Sequence, residues 1–181
     1  MQAAPGTSLN DAAPSTHRAR PRLLGVLSAL AVLVYVLDQV SKVLAVRHLT
    51  PGAAVQVLGS VLELRLLRNP GAAFSVATGM TWVLTGVAVV VVVVIIRSSR
   101  RLGSRGWAVA LGLLLGGALG NLTDRLVRAP GIGRGHVVDF IDYNGLFVGN
   151  VADVAIVVAA VVVGLLGLRG IGLDGRRATR A

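Results

Sequence analysis

The chain contains no cysteine, which excludes disulfides, thiol nucleophiles and thiolate metal sites. It is also poor in charge. Of its 181 residues only 14% are charged, against roughly 25% in soluble domains. Acids are the scarcer sign, with 8 Asp and Glu against 18 Lys and Arg. Two peptidase signatures are missing. Without H-E-x-x-H, a zinc peptidase has no helical ligand pair. Without G-x-S-x-G, there is no nucleophile elbow for a serine hydrolase.

What the sequence has in place of charge is apolar length. Hydrophobic residues make up 54% of the chain, and they gather in runs long enough to cross the ~30 Å hydrocarbon layer, which takes about 20 helical residues. Four runs stand out: residues 23 to about 46, about 72 to 96, 106 to about 122, and about 151 to 168. The second includes a valine-rich stretch at 87–94 that would suit a buried strand in a soluble protein. Its length and arginine flanks predict a spanning helix, because lipid requires each segment to satisfy its own backbone groups.

The net charge of +10 does not point to nucleic acid, because its distribution is that of a topology signal. Arg18, Arg20 and Arg22 precede the first span, Arg97, Arg100, Arg101 and Arg105 separate the second and third, and Arg169, Arg176, Arg177 and Arg180 follow the fourth. The positive-inside rule places both termini and the 97–105 loop in the cytoplasm, with some attraction to anionic lipid. Residues 1–22, rich in Ala, Pro, Ser and Thr toward their start, are expected to be a disordered cytoplasmic tail. No small-residue cleavage site closes the first span, so it is not read as a cleaved signal peptide. Residues 23–168 form the membrane domain, and residues 169–181 a basic cytoplasmic tail.

Two outer connections remain. In the first, Leu62, Leu64 and Leu66 alternate with Glu63 and Arg65, a period-2 pattern that predicts a small sheet on the membrane surface. The second, about 126–149, is rich in glycine and carries His136, Asp139, Asp142 and Tyr143. Six of the eight acids (Asp38, Glu63, Asp124, Asp139, Asp142 and Asp153) fall near this outer boundary. An ionisable group in a span costs roughly 2.5–3.5 kcal/mol, which makes it a functional candidate.

Asp38 and Lys42 stand i, i+4 with the acid first, the order that suits an ion pair. The pair lowers the cost of burying either residue and can support a site nearby. Gly120-Asn121-Leu122-Thr123-Asp124 and Gly149-Asn150-Val151-Ala152-Asp153 repeat one pattern, G-N-x-x-D, with Asn and Asp sharing a helix face. Helix capping accounts for part of it. Two carboxylates can also hydrolyse a peptide when one is ionised and the other protonated, a split that close like charges create. Asp124, Asp139 and Asp153 are the candidates. Arg125 follows Asp124 and would hold it ionised in a salt bridge. Asp139 is flanked by Val137, Val138 and Phe140, which raise its pKa. The preferred pair is Asp139 with Asp153. His136, Asp139 and Asp142 could gather round a metal, but a single histidine makes that weak. Ser41 or Ser75 with Lys42 would need a neutral lysine, and Asp38 opposes it.

Taken in order, Asp38-Gln39-Val40-Ser41-Lys42, Arg68-Asn69-Pro70-Gly71-Ala72-Ala73-Phe74-Ser75, Gly116 to Arg125, Gly135-His136-Val137-Val138-Asp139-Phe140 and Asn150-Val151-Ala152-Asp153 resemble bacterial lipoprotein signal peptidase, signal peptidase II, over residues 23–168. The resemblance implies an all-α membrane protein of four transmembrane helices with a small extracytoplasmic β-cradle and no metal or cofactor. It implies an aspartyl endopeptidase of the bacterial inner membrane that cleaves diacylglyceryl-modified prolipoproteins just before the lipidated cysteine. The catalytic aspartates match Asp139 and Asp153. Substrate-binding and supporting residues match Asp38, Lys42, Asn69, Gly71, Asn121, Asp124, Arg125 and Asn150. Partners are prolipoprotein substrates and membrane lipid, not nucleic acid, and a monomer is expected. One departure is Gly149, where many relatives carry Phe. The competing class is a small transporter or proton relay, which should carry ionisable groups through the membrane depth. Spans two and three have none in their interiors.

Overall fold

The structure is a computed structural model that describes residues 19–71 and 81–177. Among the described residues four helices are long and apolar enough to cross a membrane. They are α1 (Ala19–His48), α2 (Thr81–Ser99), α3 (Arg105–Val127) and α4 (Val151–Leu168). The valine-rich stretch is helical, as its length demands. Helix α1 starts within the stretch expected to be tail, and α3 runs past residue 122, so that Asp124 and Arg125 lie on its last turns. The expected start of the second span, with Ala72, Ala73, Phe74 and Ser75, lies outside the described residues, as does most of the expected N-terminal tail.

Helix α3 is the central member. It packs against α1, α2 and α4, and close approach is written into its glycines. A methyl group at Gly112 would strike the Leu27 carbonyl oxygen, one at Gly116 the Ala31 carbonyl oxygen, and one at Gly120 the Asp38 carboxylate. These three glycines, four residues apart, line the α1 side. Gly117 meets the Ala152 carbonyl on α4 in the same way. Small residues let helices touch where lipid offers no hydrophobic drive for association. The outward faces carry Val32, Leu33, Val36 and Leu37 on α1, Val89, Val90, Val93 and Val94 on α2, and Val157, Val158 and Val161 on α4, all exposed. Such a surface suits lipid and not water.

Four antiparallel strands form one sheet in the order β1 (Ala54–Leu58), β2 (Leu62–Asn69), β3 (Val137–Asp142), β4 (Val148–Gly149). The alternating leucines behave as their period predicts. Leu64 and Leu66 pack with Val138 and Phe140 of β3 on Ala45 of α1. This cluster seats the sheet on the C-terminal end of α1. The register places Asn69 opposite Val137 and Leu67 opposite Asp139, so Asn69 and Asp139 are diagonal neighbours on one face.

Candidate active site at the sheet end of the bundle

The site lies where β2, β3, the last turns of α3 and the first turn of α4 meet. Asp139 is buried at 2% exposure, and both its oxygens are held. Asn69 Nδ2 donates to Oδ2 at 2.8 Å and Asn150 Nδ2 donates to Oδ1 at 2.6 Å. Burial pushes the Asp139 carboxyl up to about 6; the Asn69 hydrogen bond opposes this, the nearby Asp153 charge adds to it, and Asn150 and the Lys42 charge oppose it further.

Asp153 sits in the first turn of α4, half-buried. Its Oδ2 accepts from the Asn150 backbone N–H at 3.0 Å, while Asn150 Oδ1 accepts from the Asp153 N–H at 3.1 Å. This is the reciprocal logic of a capping box. Asn121 Nδ2 donates to the other oxygen, Oδ1, at 3.0 Å. The asparagines are themselves linked, since Asn150 Nδ2 also donates to Asn121 Oδ1 at 3.1 Å. One continuous network therefore joins Asp139, Asn150, Asn121 and Asp153.

Behind it stands a buried charge cluster. Lys42 is fully buried, and its ammonium lies 2.8 Å from Asp38 Oδ2, 2.9 Å from Asp124 Oδ2 and 2.9 Å from Asn121 Oδ1. These three contacts use all three of its protons. The expected i, i+4 pair is present, and its geometry leaves Lys42 nothing with which to act as a base. Asp38 also accepts from the Ala152 N–H at 3.0 Å, which fixes the start of α4 against α1.

The structure corrects one expectation. Asp124 does not pair with Arg125. Its Oδ1 meets Arg128 Nε at 2.5 Å, and its Oδ2 accepts from Lys42 and from the Val138 N–H at 3.1 Å. Consecutive helical residues point in different directions, whereas i and i+4 share a face. The i, i+4 spacing that flagged Asp38 and Lys42 also marks Asp124 and Arg128, which sequence reasoning missed. Arg125 instead leaves Nη1 buried without a hydrogen-bond partner among the described residues, beside Gly71, whose own N–H donates to Asn69 Oδ1 at 2.8 Å.

A cleft of about 280 Å³ runs from Asn150 and Asp153 down α4 past Val154, Val157 and Val158, with Tyr143 and Phe147 from the β3–β4 turn as its other wall. The two rings stack with centroids 6.3 Å apart. Phe147 also lies over Gly149: a methyl group there would meet the ring at 2.6 Å and Asp153 Oδ2 at 3.0 Å. Neither ring was singled out from the sequence as part of a wall. Asp142 is likewise outside any metal group. It is fully buried and lies 3.2 Å from Arg65 Nε of β2, and among the described residues no three His, Asp or Glu side chains gather as metal ligands would.

A family model described as signal peptidase (SPase) II matches residues 30–169. The chain belongs to the signal peptidase II family. It is thus a multi-pass membrane peptidase, and the transporter reading is not favoured. The lipoprotein signal peptidase of Leifsonia xyli subsp. xyli is 49% identical over 168 residues, covering 92% of this chain and 78% of the relative. That of Rhodococcus jostii is 51% identical over 164 residues, covering 91% and 81%. A bacterial membrane enzyme solved at 2.3 Å superimposes with a TM-score of 0.72 at 25% identity, covering 86% of this chain and 95% of the other. Of the residues expected at a signal peptidase site, Asp38, Lys42, Asn69, Asn121, Asp124, Asp139, Asn150 and Asp153 join through the contacts above, and Gly71 and Arg125 flank them.

Proposed function

We propose that Asp139 and Asp153 are the catalytic pair of an aspartyl endopeptidase that removes signal peptides from bacterial prolipoproteins, cleaving just before the diacylglyceryl-modified cysteine. The observation that carries this reading is Asn150, which bonds to both carboxyl groups. It holds two acids together at the end of the bundle where Asp38, Asp124, Asp139 and Asp153 gather. With one proton on the pair, the ionised carboxylate takes a proton from water. The water oxygen attacks the scissile carbonyl carbon, and the protonated carboxyl gives its proton to the carbonyl oxygen. Collapse of that intermediate breaks the C–N bond: the proton taken from water passes to the cysteine nitrogen, and the proton on the carbonyl oxygen returns to the carboxylate that gave it as C=O re-forms, which restores the one-proton pair.

The surroundings fit this chemistry. The half-exposed Asp153 leaves water a way in. The apolar cleft down α4 suits an apolar segment of the substrate, and Arg125 Nη1, which has no hydrogen-bond partner among the described residues, offers a donor to a peptide carbonyl. The arginine distribution supports cytoplasmic termini and a site at the outer face of the bacterial cytoplasmic membrane. The enzyme acts as a monomer, and no step requires a metal.

Purified protein should cleave a diacylglyceryl-cysteine precursor, spare the unlipidated one, and keep its rate in strong chelator. Equal cleavage of both precursors would refute the substrate assignment. Loss of activity in chelator that zinc restores would refute the aspartyl mechanism.

A further inference from the structure

At the far end of the bundle, where α1 and α3 begin and α2 and α4 end, the segment after α4 does not trail away. It folds back on the α2–α3 loop. The Gly103 N–H donates to the Leu173 carbonyl at 2.9 Å, and Trp107 Nε1 donates to the Ile171 carbonyl at 2.9 Å. The turn closes on itself through the Gly172 N–H to the Arg176 carbonyl at 2.8 Å. Gly103 lies so close to Asp174 that a methyl group there would overlap its backbone.

This docking shapes two adjoining cavities of about 380 and 330 Å³ that share Arg100 and Arg101. Arg97 lines the first and Arg20 the second. Leu173 in the first and Leu23 with Leu102 in the second make part of their walls apolar. Among the described residues none of these four guanidinium groups pairs with a carboxylate; Asp174, the acid lining the second cavity, lies 3.6 Å from Arg176. Four uncompensated cations beside an apolar wall at a membrane boundary call for an anion that also carries an apolar body. We infer that these cavities bind the phosphate of an anionic phospholipid, with Arg100 and Arg101 as the shared fork and its acyl chains along the helices. Paired N–H groups of arginine suit phosphate oxygens.

The side chains of Arg100 and Arg101 are exposed and make no hydrogen bond among the described residues, so Arg100→Gln/Arg101→Gln should fold. Arg105→Gln/Arg177→Gln removes the same charge at the same end from exposed residues that line neither cavity. In neutral detergent, native mass spectrometry and thermal unfolding would be recorded with dioleoylphosphatidylglycerol, with dioleoylphosphatidylcholine and with inorganic phosphate. Phosphatidylglycerol should remain bound and raise Tm in the wild type and in the Arg105/Arg177 variant. Its affinity should fall about twenty-fivefold in the Arg100/Arg101 variant, from roughly a factor of five for each lost cation. Equal binding of phosphatidylcholine, an equal Tm shift from inorganic phosphate, unchanged affinity in the Arg100/Arg101 variant, or equal loss in both variants would each overturn the inference.

Discussion

Asn150 and Asp153 cap each other: each side chain accepts a hydrogen bond from the other's backbone N–H, at 3.1 and 3.0 Å. The bond pair starts α4 and at the same time sets the Asp153 carboxylate at the helix N-terminus. The asparagine has a second task, because its amide protons reach Asp139 and Asn121. A serine can do the first and not the second. Asn150→Ser should therefore keep the cap and lose most turnover. Asn150→Ala should lose turnover as fully and be less stable than the serine variant by about 1 kcal/mol, the usual worth of an N-cap. Thermal unfolding in detergent beside single-turnover rates would separate the two tasks.

In the proposed mechanism Asp124 has a structural role. Asp124→Asn removes the carboxylate shared by Lys42, Arg128 and the Val138 N–H. Breaking a buried ion pair by deleting one partner costs about 3–5 kcal/mol. The folded yield should drop sharply, while turnover per folded molecule remains measurable.

The pH dependence follows from Asp139. Burial raises its pKa to about 6, so it holds a proton below that pH and loses it above. Since the pair needs one proton, kcat/KM should fall about tenfold per unit as pH rises beyond about 6. The Asn69 hydrogen bond favours the ionised form and lowers the pKa. Asn69→Ala should accordingly move this alkaline limb to higher pH. A limb that stays in place, or moves down, would contradict the role given to Asn69.

Gly149 tests the aromatic wall. In Gly149→Ala the new methyl group must displace the Phe147 ring, which is 46% exposed, and crowd Asp153 Oδ2. The protein should remain folded. A carboxylate moved by a fraction of an ångström should cost on the order of tenfold to a hundredfold in turnover, read as kcat against a wild-type control.

Much of this is legible in the sequence. Span length alone gave the four helices, the alternation of Leu62, Leu64 and Leu66 gave β2, and i, i+4 spacing gave Asp38 with Lys42. The repeated Asn-x-x-Asp pointed to Asn121, Asp124, Asn150 and Asp153, although the two turns serve different ends. Other features left no local trace. Val137 to Asp142 is almost entirely buried, so it lacks the alternation that marks a half-exposed strand, and the glycines around it suggest a loop. Arg65 and Asp142 meet across strands that are distant in sequence. The turn after α4 docks through the Gly103 N–H to the Leu173 carbonyl and the Trp107 indole to the Ile171 carbonyl, contacts between segments about 65–70 residues apart that follow no local period.

The central claim is that Asp139 and Asp153 act as one unit. The most direct measurement is turnover per folded molecule of a diacylglyceryl-cysteine precursor by Asp139→Asn, Asp153→Asn and the double variant, with folding verified by thermal unfolding. Each single variant should lose on the order of a thousandfold or more, and the double should lose no more than either, because residues acting together are not additive. Near-normal turnover by folded Asp139→Asn, with folded Asp124→Asn inactive, would contradict the assignment and move the pair to Asp124 and Asp153.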